Sequence, residues 1–156
     1  TAYRRQRQMC IRDSVLKSGY SGKCGLFDLS DGKQVIDFRY DDITLLGFNR
    51  ALGKDGSRRY LLDTSTGDVI ASLPPNIGAA HFNETPVTWI FRAKSYYGII
   101  DEEGNILYED AKDPLTGVTK FRHGFSGGQK DNKKWGILKS DGTWLVHPTY
   151  DYIKLL

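Results

Sequence analysis

The chain has 156 residues, 39% of them hydrophobic and 12% aromatic, with a net charge of +3. The first 13 residues account for the whole of that charge, because they contain four arginines (Arg4, Arg5, Arg7 and Arg12) and one aspartate, Asp13. Residues 14–156 therefore hold 18 basic and 18 acidic side chains. A neutral chain of this kind has no global basic field, which argues against nucleic acid as a partner. It also has no run of about 18 apolar residues, so no membrane span is predicted.

The first residues do not share the pattern of the rest. Residues 8–14 (Gln-Met-Cys-Ile-Arg-Asp-Ser) resemble a translation of the transposase end sequence used to prepare sequencing libraries. We interpret residues 1–14 as a non-native or disordered tail and exclude them from the fold argument. The alternative is a natural, solvated basic tail. If Cys10 belongs to the tail, Cys24 is a single thiol, which builds no disulfide framework and no cysteine-based metal site.

One short segment then occurs four times along the chain. Its copies are Cys-Gly-Leu-Phe-Asp (24–28), Arg-Tyr-Leu-Leu-Asp (59–63), Tyr-Gly-Ile-Ile-Asp (97–101) and Trp-Gly-Ile-Leu-Lys (135–139). They lead to Gly32, Gly67, Gly104 and Gly142 in turn. Their second residues are 25, 60, 98 and 136, so the steps are 35, 38 and 38 residues. A fixed period in this range is typical of repeat proteins, whose units bury their apolar faces against one another.

Each copy predicts a β-hairpin, because a run of β-favouring residues is followed by a glycine turn and a second such run. In the first two copies the turn is one residue longer, which predicts a bulged turn. A further strand leads into the next hairpin, most clearly at residues 87–93. No 3.6-residue apolar stripe follows residue 20, which argues against a long helix.

The sequence therefore predicts an all-β protein made of tandem antiparallel β-meander or hairpin repeats, four units of about 37 residues. The β domain is predicted over 15–156, with units at about 22–57, 58–94, 95–132 and 133–156, the last one incomplete. The units stack as an open, twisted array or close like a propeller, and both alternatives stay open. An open array leaves edges that are liable to pair with other chains.

The fourth unit carries a family resemblance in Lys-Trp-Gly at 134–136 and Pro-Thr-Tyr-Asp at 148–151. This pattern resembles the WG repeat, also called the KWG repeat, of bacterial proteins. The first unit keeps Gly25 and Tyr-Asp at 40–41, the third keeps Tyr-Gly at 97–98, and the second is the weakest match. The resemblance covers roughly residues 20–156. It implies a bacterial origin and a β-rich array within a larger protein, and it carries over no catalytic residues.

The repeated residues suggest structural roles. The glycine after the aromatic residue lets a neighbouring strand or ring approach closely, and the aromatic residue then stacks on the next unit. The Asp before the turn can bind backbone N–H groups of the hairpin. Tyr40 and Tyr150 are expected to lay their rings on the core.

No catalytic, cofactor-binding or metal-binding residues are predicted. His81, His123 and His147 lie in different units without metal-ligand spacing. The loop 28–32 lacks the alternate oxygen ligands of a calcium site, and the glycines at 127–128 do not follow the strand-to-helix pattern of a phosphate site. We therefore expect no enzyme activity and no cofactor.

Binding is the remaining class, because the aromatic residues exceed what a minimal β core requires. The candidates for contact with a ligand or partner are Trp144, Tyr96, Trp89 and Tyr152. On a regular strand Trp144 and Val146 share one face, so either Trp144 or Leu145 points outward. The leading function is a non-enzymatic repeat scaffold for protein–protein or other macromolecular interaction, with a protein or glycan partner. The alternative is binding of a carbohydrate or cell-envelope ligand through exposed aromatic residues. The compartment, cytoplasm or cell envelope, stays open.

Overall fold

A computed structural model describes residues 13–82 and 85–156, so nearly all of the predicted tail lies outside the described residues. Over these residues fifteen strands form four antiparallel sheets, and no helix occurs. The all-β fold of repeated antiparallel meanders is therefore confirmed. The chain divides into two compact units, Thr1–Asn76 and Ile77–Leu156, and the described part of each contains two sheets.

The first unit contains the first and second sheets. The strands of the first sheet are β1 (Asp13–Lys17), β2 (Cys24–Asp28) and β3 (Gln34–Tyr40). Those of the second sheet are β4 (Asp42–Gly47), β5 (Arg50–Asp55), β6 (Arg58–Asp63) and β7 (Val69–Leu73). Each strand pairs with the next one in sequence, so both sheets are simple meanders.

The second unit contains the third and fourth sheets, built in the same way. The strands of the third sheet are β8 (Gly78–Ala79), β9 (Val87–Arg92), β10 (Ser95–Asp101) and β11 (Ile106–Glu109). Those of the fourth sheet are β12 (Gly117–Val118), β13 (Phe125–Gln129), β14 (Trp135–Lys139) and β15 (Trp144–Tyr150). The repeated segment is thus the third strand of each four-stranded sheet, and β2 in the first sheet. The predicted units begin at this hairpin, so they are offset from the sheets.

The glycine turns follow the predicted difference in length. Gly32 and Gly67 each donate their N–H to the carbonyl four residues earlier, at 2.8 Å, whereas Gly104 and Gly142 donate to the carbonyl three residues earlier, at 3.1 and 3.0 Å. All four have φ between 71° and 83°, a conformation that residues with a Cβ rarely adopt. The register of the hairpin shifts at the same place in all four sheets, for example between Leu26 and Phe27 in the first and between Ile137 and Leu138 in the fourth, so this shift does not depend on the turn length.

Aspartate carboxylates accept hydrogen bonds from backbone and side-chain groups of these turns, as the sequence predicts. Asp28 accepts hydrogen bonds from the N–H and hydroxyl of Ser30 at 2.7 and 2.6 Å. Asp101 accepts from the N–H groups of Glu103 and Asn105, both at 2.9 Å. Asp63 makes the same contacts to Ser65. In the fourth sheet Asp141, inside the turn, takes over this role. Each bond satisfies a backbone donor that the sheet leaves unpaired.

The core of the first unit lies between its two sheets. The first sheet contributes Cys24, Leu26, Ile36 and Tyr40, and the second contributes Ala51 and Leu62. The Tyr40 ring lies on Gly53, where a Cβ would come within 2.9 Å of it. The predicted stacking of Tyr40 on the core is confirmed, and the absence of a side chain at Gly53 provides the space.

The core of the second unit lies in the same place, between the third and fourth sheets. Trp89 and Ile99 come from the third sheet and Leu138 from the fourth. The Trp89 ring stacks on Phe121 with centroids 5.5 Å apart, and its Nε1 donates to Ser126 Oγ at 3.0 Å. Ser126 Oγ also lies 2.7 Å from the Thr119 carbonyl oxygen, to which it donates. A buried indole N–H and a buried hydroxyl thus satisfy each other inside an apolar core.

Candidate functional site: an apolar groove on the fourth sheet

The four predicted contact residues lie in different environments. Trp89 is 2% exposed and belongs to the core between the third and fourth sheets. Tyr96 is half-buried, packs beside the same core and lies 5.5 Å from the Phe91 ring. Tyr152 is 76% exposed. Trp89 is therefore held in the interior, and Tyr152 is the member of the set that is presented to solvent.

Trp144 points towards the interior because β15 contains an extra residue. Ile137 pairs with Val146, but Leu138 pairs with Trp144. Neighbouring residues of β14 face opposite ways, so Trp144 and Val146 lie on opposite faces of the sheet. The expectation that they share a face is wrong, because it assumed a regular strand. Leu145, the extra residue, is exposed.

The half-buried Trp144 indole covers the glycine of the Trp-Gly motif. A Cβ on Gly136 would lie 2.7 Å from Trp144 Cζ3 and 2.3 Å from the Val146 carbonyl oxygen. A Cβ on the equivalent Gly25 would lie 2.8 Å from the Ile36 carbonyl oxygen, and one on Gly98 would lie 2.9 Å from that of Tyr108. The motif therefore needs glycine because the return strand brings a carbonyl group to its Cα. The predicted close approach of a strand or ring is observed.

The opposite face of the fourth sheet forms a groove of about 320 Å³. We call it the terminal groove. Three aromatic and three aliphatic side chains line it: Trp135, Tyr150, Tyr152, Ile137, Val146 and Ile153. Lys154 contributes an ammonium group at its border. Tyr150 is 58% exposed there, so the expectation that its ring lies on the core is wrong. The remaining apolar residues, Trp135, Ile137, Val146 and Ile153, are partly buried.

The first sheet has the same surface, and there it is covered. By strand register, Cys24 pairs with Tyr40 as Trp135 pairs with Tyr150. Leu26 pairs with Ile36 as Ile137 pairs with Val146. The residues of the first sheet are all buried, with Tyr40 only 2% exposed. They are buried because the second sheet packs on them. The terminal groove therefore consists of the residues equivalent to those that the second sheet covers in the first unit, and among the described residues no sheet packs on it.

A charged contact accompanies that packing in the first unit. Asp41, which follows Tyr40, accepts a hydrogen bond from the Gly56 N–H at 2.7 Å and another from Lys23 Nζ at 2.5 Å. These two contacts hold the pKa of the Asp41 carboxyl below its ordinary value, and the Asp41 bond in turn raises the pKa of Lys23. Because Gly56 lies between β5 and β6, Asp41 joins the first sheet to the second.

The fourth sheet has the lysine–aspartate pair of this charged contact. Lys134, which precedes Trp135, pairs with Asp151, which follows Tyr150. This is the same pair as Lys23 with Asp41, and it gives the Lys-Trp-Gly and Tyr-Asp motifs a common physical purpose. Asp151 is exposed. At the place of Lys134 the second unit has Arg58 and the third has Tyr96, and in both of these units the Tyr-Asp motif is also replaced.

In residues 13–82 and 85–156, no group of three or more His, Cys, Asp or Glu side chains is placed to hold a metal ion. Over the same residues, no helix is long and apolar enough to cross a membrane. Sequence reasoning named Tyr152 but missed Trp135 and Tyr150 as groove residues. The signal was present, since Trp135 and Tyr150 belong to the Trp-Gly and Tyr-Asp motifs.

Comparison with known proteins agrees with this description. Residues 135–155 match the sequence profile of a family described as WG containing repeat. No curated protein sequence matches the chain. Among solved structures, the computationally designed Ika8 protein matches with a TM-score of 0.54 at 11% identity, and the computationally designed Ika4 protein with 0.52 at 16%.

The matches differ in coverage. The Ika8 match covers 89% of this chain and 48% of the design, and the Ika4 match covers 82% and 85%. BamB from Moraxella catarrhalis matches with a TM-score of 0.44 at 15% identity, over 83% of this chain and 40% of BamB. The chain thus spans about half the length of Ika8. At these identities the two designs show a shared β fold. Residues 135–155 are thus similar to the WG containing repeat, as the Trp-Gly and Tyr-Asp motifs indicate.

Proposed function

We propose that this chain is a non-enzymatic repeat scaffold that binds another protein through the terminal groove. The observation that carries the proposal is the contrast between two equivalent surfaces. Tyr40 and its neighbours are buried under a sheet, whereas Tyr150 and Tyr152 are exposed at the same place on the fourth sheet. A contiguous apolar surface rimmed by charged groups is typical of a protein interaction site.

The chemistry of the groove favours a protein over a sugar. Its lining consists mainly of hydrocarbon and ring surface, and its polar side-chain groups are the tyrosine hydroxyls, the Trp135 indole N–H and the Lys154 ammonium. Sugar recognition requires several directed donors and acceptors besides a stacking ring. Carbohydrate or cell-envelope ligand binding is kept as the second candidate, because the rings of Trp135, Tyr150 and Tyr152 share one groove.

A photo-crosslinking residue at position 152 tests the proposal. Position 29 is the matched control, since Leu29 is also an exposed apolar residue but lies in a turn of the first sheet. We expect protein adducts from position 152 and none from position 29. The purified adduct protein should then bind the unmodified chain, and Tyr150→Asp should reduce that affinity at least tenfold. Binding to a glycan array that Tyr150→Asp abolishes, without protein adducts, would favour the second candidate.

A further inference from the structure

We propose that the terminal groove binds the first sheet of a second copy of this chain, so that copies associate head to tail. This inference rests on the proposed function, because it names the partner of the same groove. Three features of the described residues carry it: the kind of surface that covers the equivalent groove, a matching exposed surface on the first sheet, and a charged contact that fits both.

The first unit shows what kind of surface fits. There the Tyr40 side lies under β5 and β6, with Gly53 beneath the Tyr40 ring and Leu62 beside it. The occupant of such a groove is thus a meander that places a strand pair over the tyrosine. Because the terminal groove has the same strand register and the same Tyr-Asp motif, a sheet of the same type is the complementary shape.

The first sheet presents a surface of this type to solvent. Leu16 pairs with Gly25 as Gly53 pairs with Tyr60, so Leu16 occupies the position that Gly53 has in the second sheet. It lies on the face opposite Leu26, together with Phe27 and Phe38. Leu16 and Phe38 are exposed, and the Phe27 and Phe38 rings lie 5.7 Å apart. Since Leu16 is larger than Gly53, the contact should be looser than the internal one and therefore reversible.

The charged contact can also be reproduced between copies. Lys17 pairs with Cys24 as Lys54 pairs with Arg59, so the turn after β1 stands where the shorter β5–β6 turn stands in the second sheet. In the first unit the Gly56 N–H donates to Asp41. Asp151, the equivalent of Asp41, is exposed and faces solvent beside Lys134. The backbone N–H groups in the turn after β1 of a second copy are the matching donors for it.

Such a contact joins two different surfaces and is therefore heterologous. Each copy keeps one surface available after the other is used, so association continues into chains or closes into a ring. A substitution on either surface should prevent association when that variant is tested alone. A mixture of the two variants should still associate, and this difference is the main control of the experiment.

The test is sedimentation velocity on the purified full chain from about 1 μM to about 1 mM, the range of weak reversible contacts. We expect the mean mass to rise with concentration from that of a monomer to at least that of a dimer, as chains or a closed ring form. Tyr150→Asp in the groove and Leu16→Asp on the first sheet should each remain monomeric. Leu29→Asp, at an exposed turn outside both surfaces, should behave as the unchanged chain.

An equimolar mixture of Tyr150→Asp and Leu16→Asp distinguishes this contact from others. Each variant retains one intact surface, so the mixture should regain association and stop at a dimer. Circular dichroism of each variant checks that it is folded. A monomeric unchanged chain over the whole range would overturn the inference, and so would association of either single variant or a monomeric mixture. If the unchanged chain is monomeric but position 152 still crosslinks a different protein, self-docking is wrong and the proposed interaction role stands.

Discussion

Replacing Gly136 by Ala tests why the motif contains glycine. A methyl group at this position would lie 2.3 Å from the Val146 carbonyl oxygen, 2.8 Å from the Pro148 nitrogen and 2.7 Å from Trp144 Cζ3. Two of these three atoms belong to the backbone of the paired strand. That strand cannot move without breaking its pairing with β14. The cost is therefore steric and does not arise from backbone torsion, in contrast to the turn glycines.

The expected cost follows from the severity of these contacts. Overpacking a well-packed site costs about 1–3 kcal/mol, and rigid backbone neighbours place this case at the upper end. We expect a loss of about 3 kcal/mol, which lowers the melting temperature by about 6–12 °C in a chain of this size. Gly19→Ala is the matched control, since a Cβ there would meet no atom within 4 Å. It should stay within about 0.5 kcal/mol of the unchanged chain.

The assay is thermal and urea unfolding followed by tryptophan fluorescence and circular dichroism. Gly136→Ala and Gly19→Ala are measured beside the unchanged chain at the same protein concentration. Equal midpoints for the two variants would refute the reasoning, because the Val146 carbonyl would then have room for a side chain at position 136.

Three further predictions concern the core, the groove and the charged contact. The substitutions Trp89→Phe and Ser126→Ala should each lower the free energy of unfolding by about 1–3 kcal/mol, because each removes one partner of a buried hydrogen bond. A double-mutant cycle measured by urea unfolding should give a coupling energy of at least about 0.5 kcal/mol. Strictly additive losses would contradict the hydrogen bond between Trp89 and Ser126. Trp135→Ala should destabilise the chain less than Trp89→Ala, for which about 3–5 kcal/mol is expected, since Trp135 is half-buried in an open groove; equal losses would mean that the groove is closed. For Asp41, whose pKa is lowered by the Gly56 N–H and by Lys23 from an ordinary 3.8, the stabilising contribution is present above that value and disappears as the pH falls through the lower folded-state pKa. Asp41→Asn should therefore be less stable near neutral pH and lose less stability on acidification, and parallel pH profiles would exclude the contact.

The sequence predicted the fold well because its signals are local. Strand and turn positions follow from residues that are neighbours in the chain, such as the aspartate and glycine of each hairpin. The turn length was predicted correctly because one extra residue between Asp28 and Gly32 changes the bonding distance along the chain. The period itself predicted that sheets would pack, since no single unit can bury its apolar face.

The candidate site was harder to predict, because it depends on which face each residue occupies. One extra residue in β15 reverses the relation between Trp144 and Val146, and nothing in the local sequence marks it. Trp89 could not be distinguished from an exposed ring, since its burial comes from Phe121 and Ser126 on the chain far beyond it. Tyr152 was predicted as a contact residue, and its contact remains a prediction.

Every strand in the four sheets pairs with its neighbour in sequence. Each pairing therefore closes a short loop, and the entropy lost in closing a loop grows with its length. All-β domains usually fold slowly, because most of their contacts join distant segments. In this chain each meander can assemble before its neighbour is complete, so the low contact order within the sheets should make it a fast folder for its class.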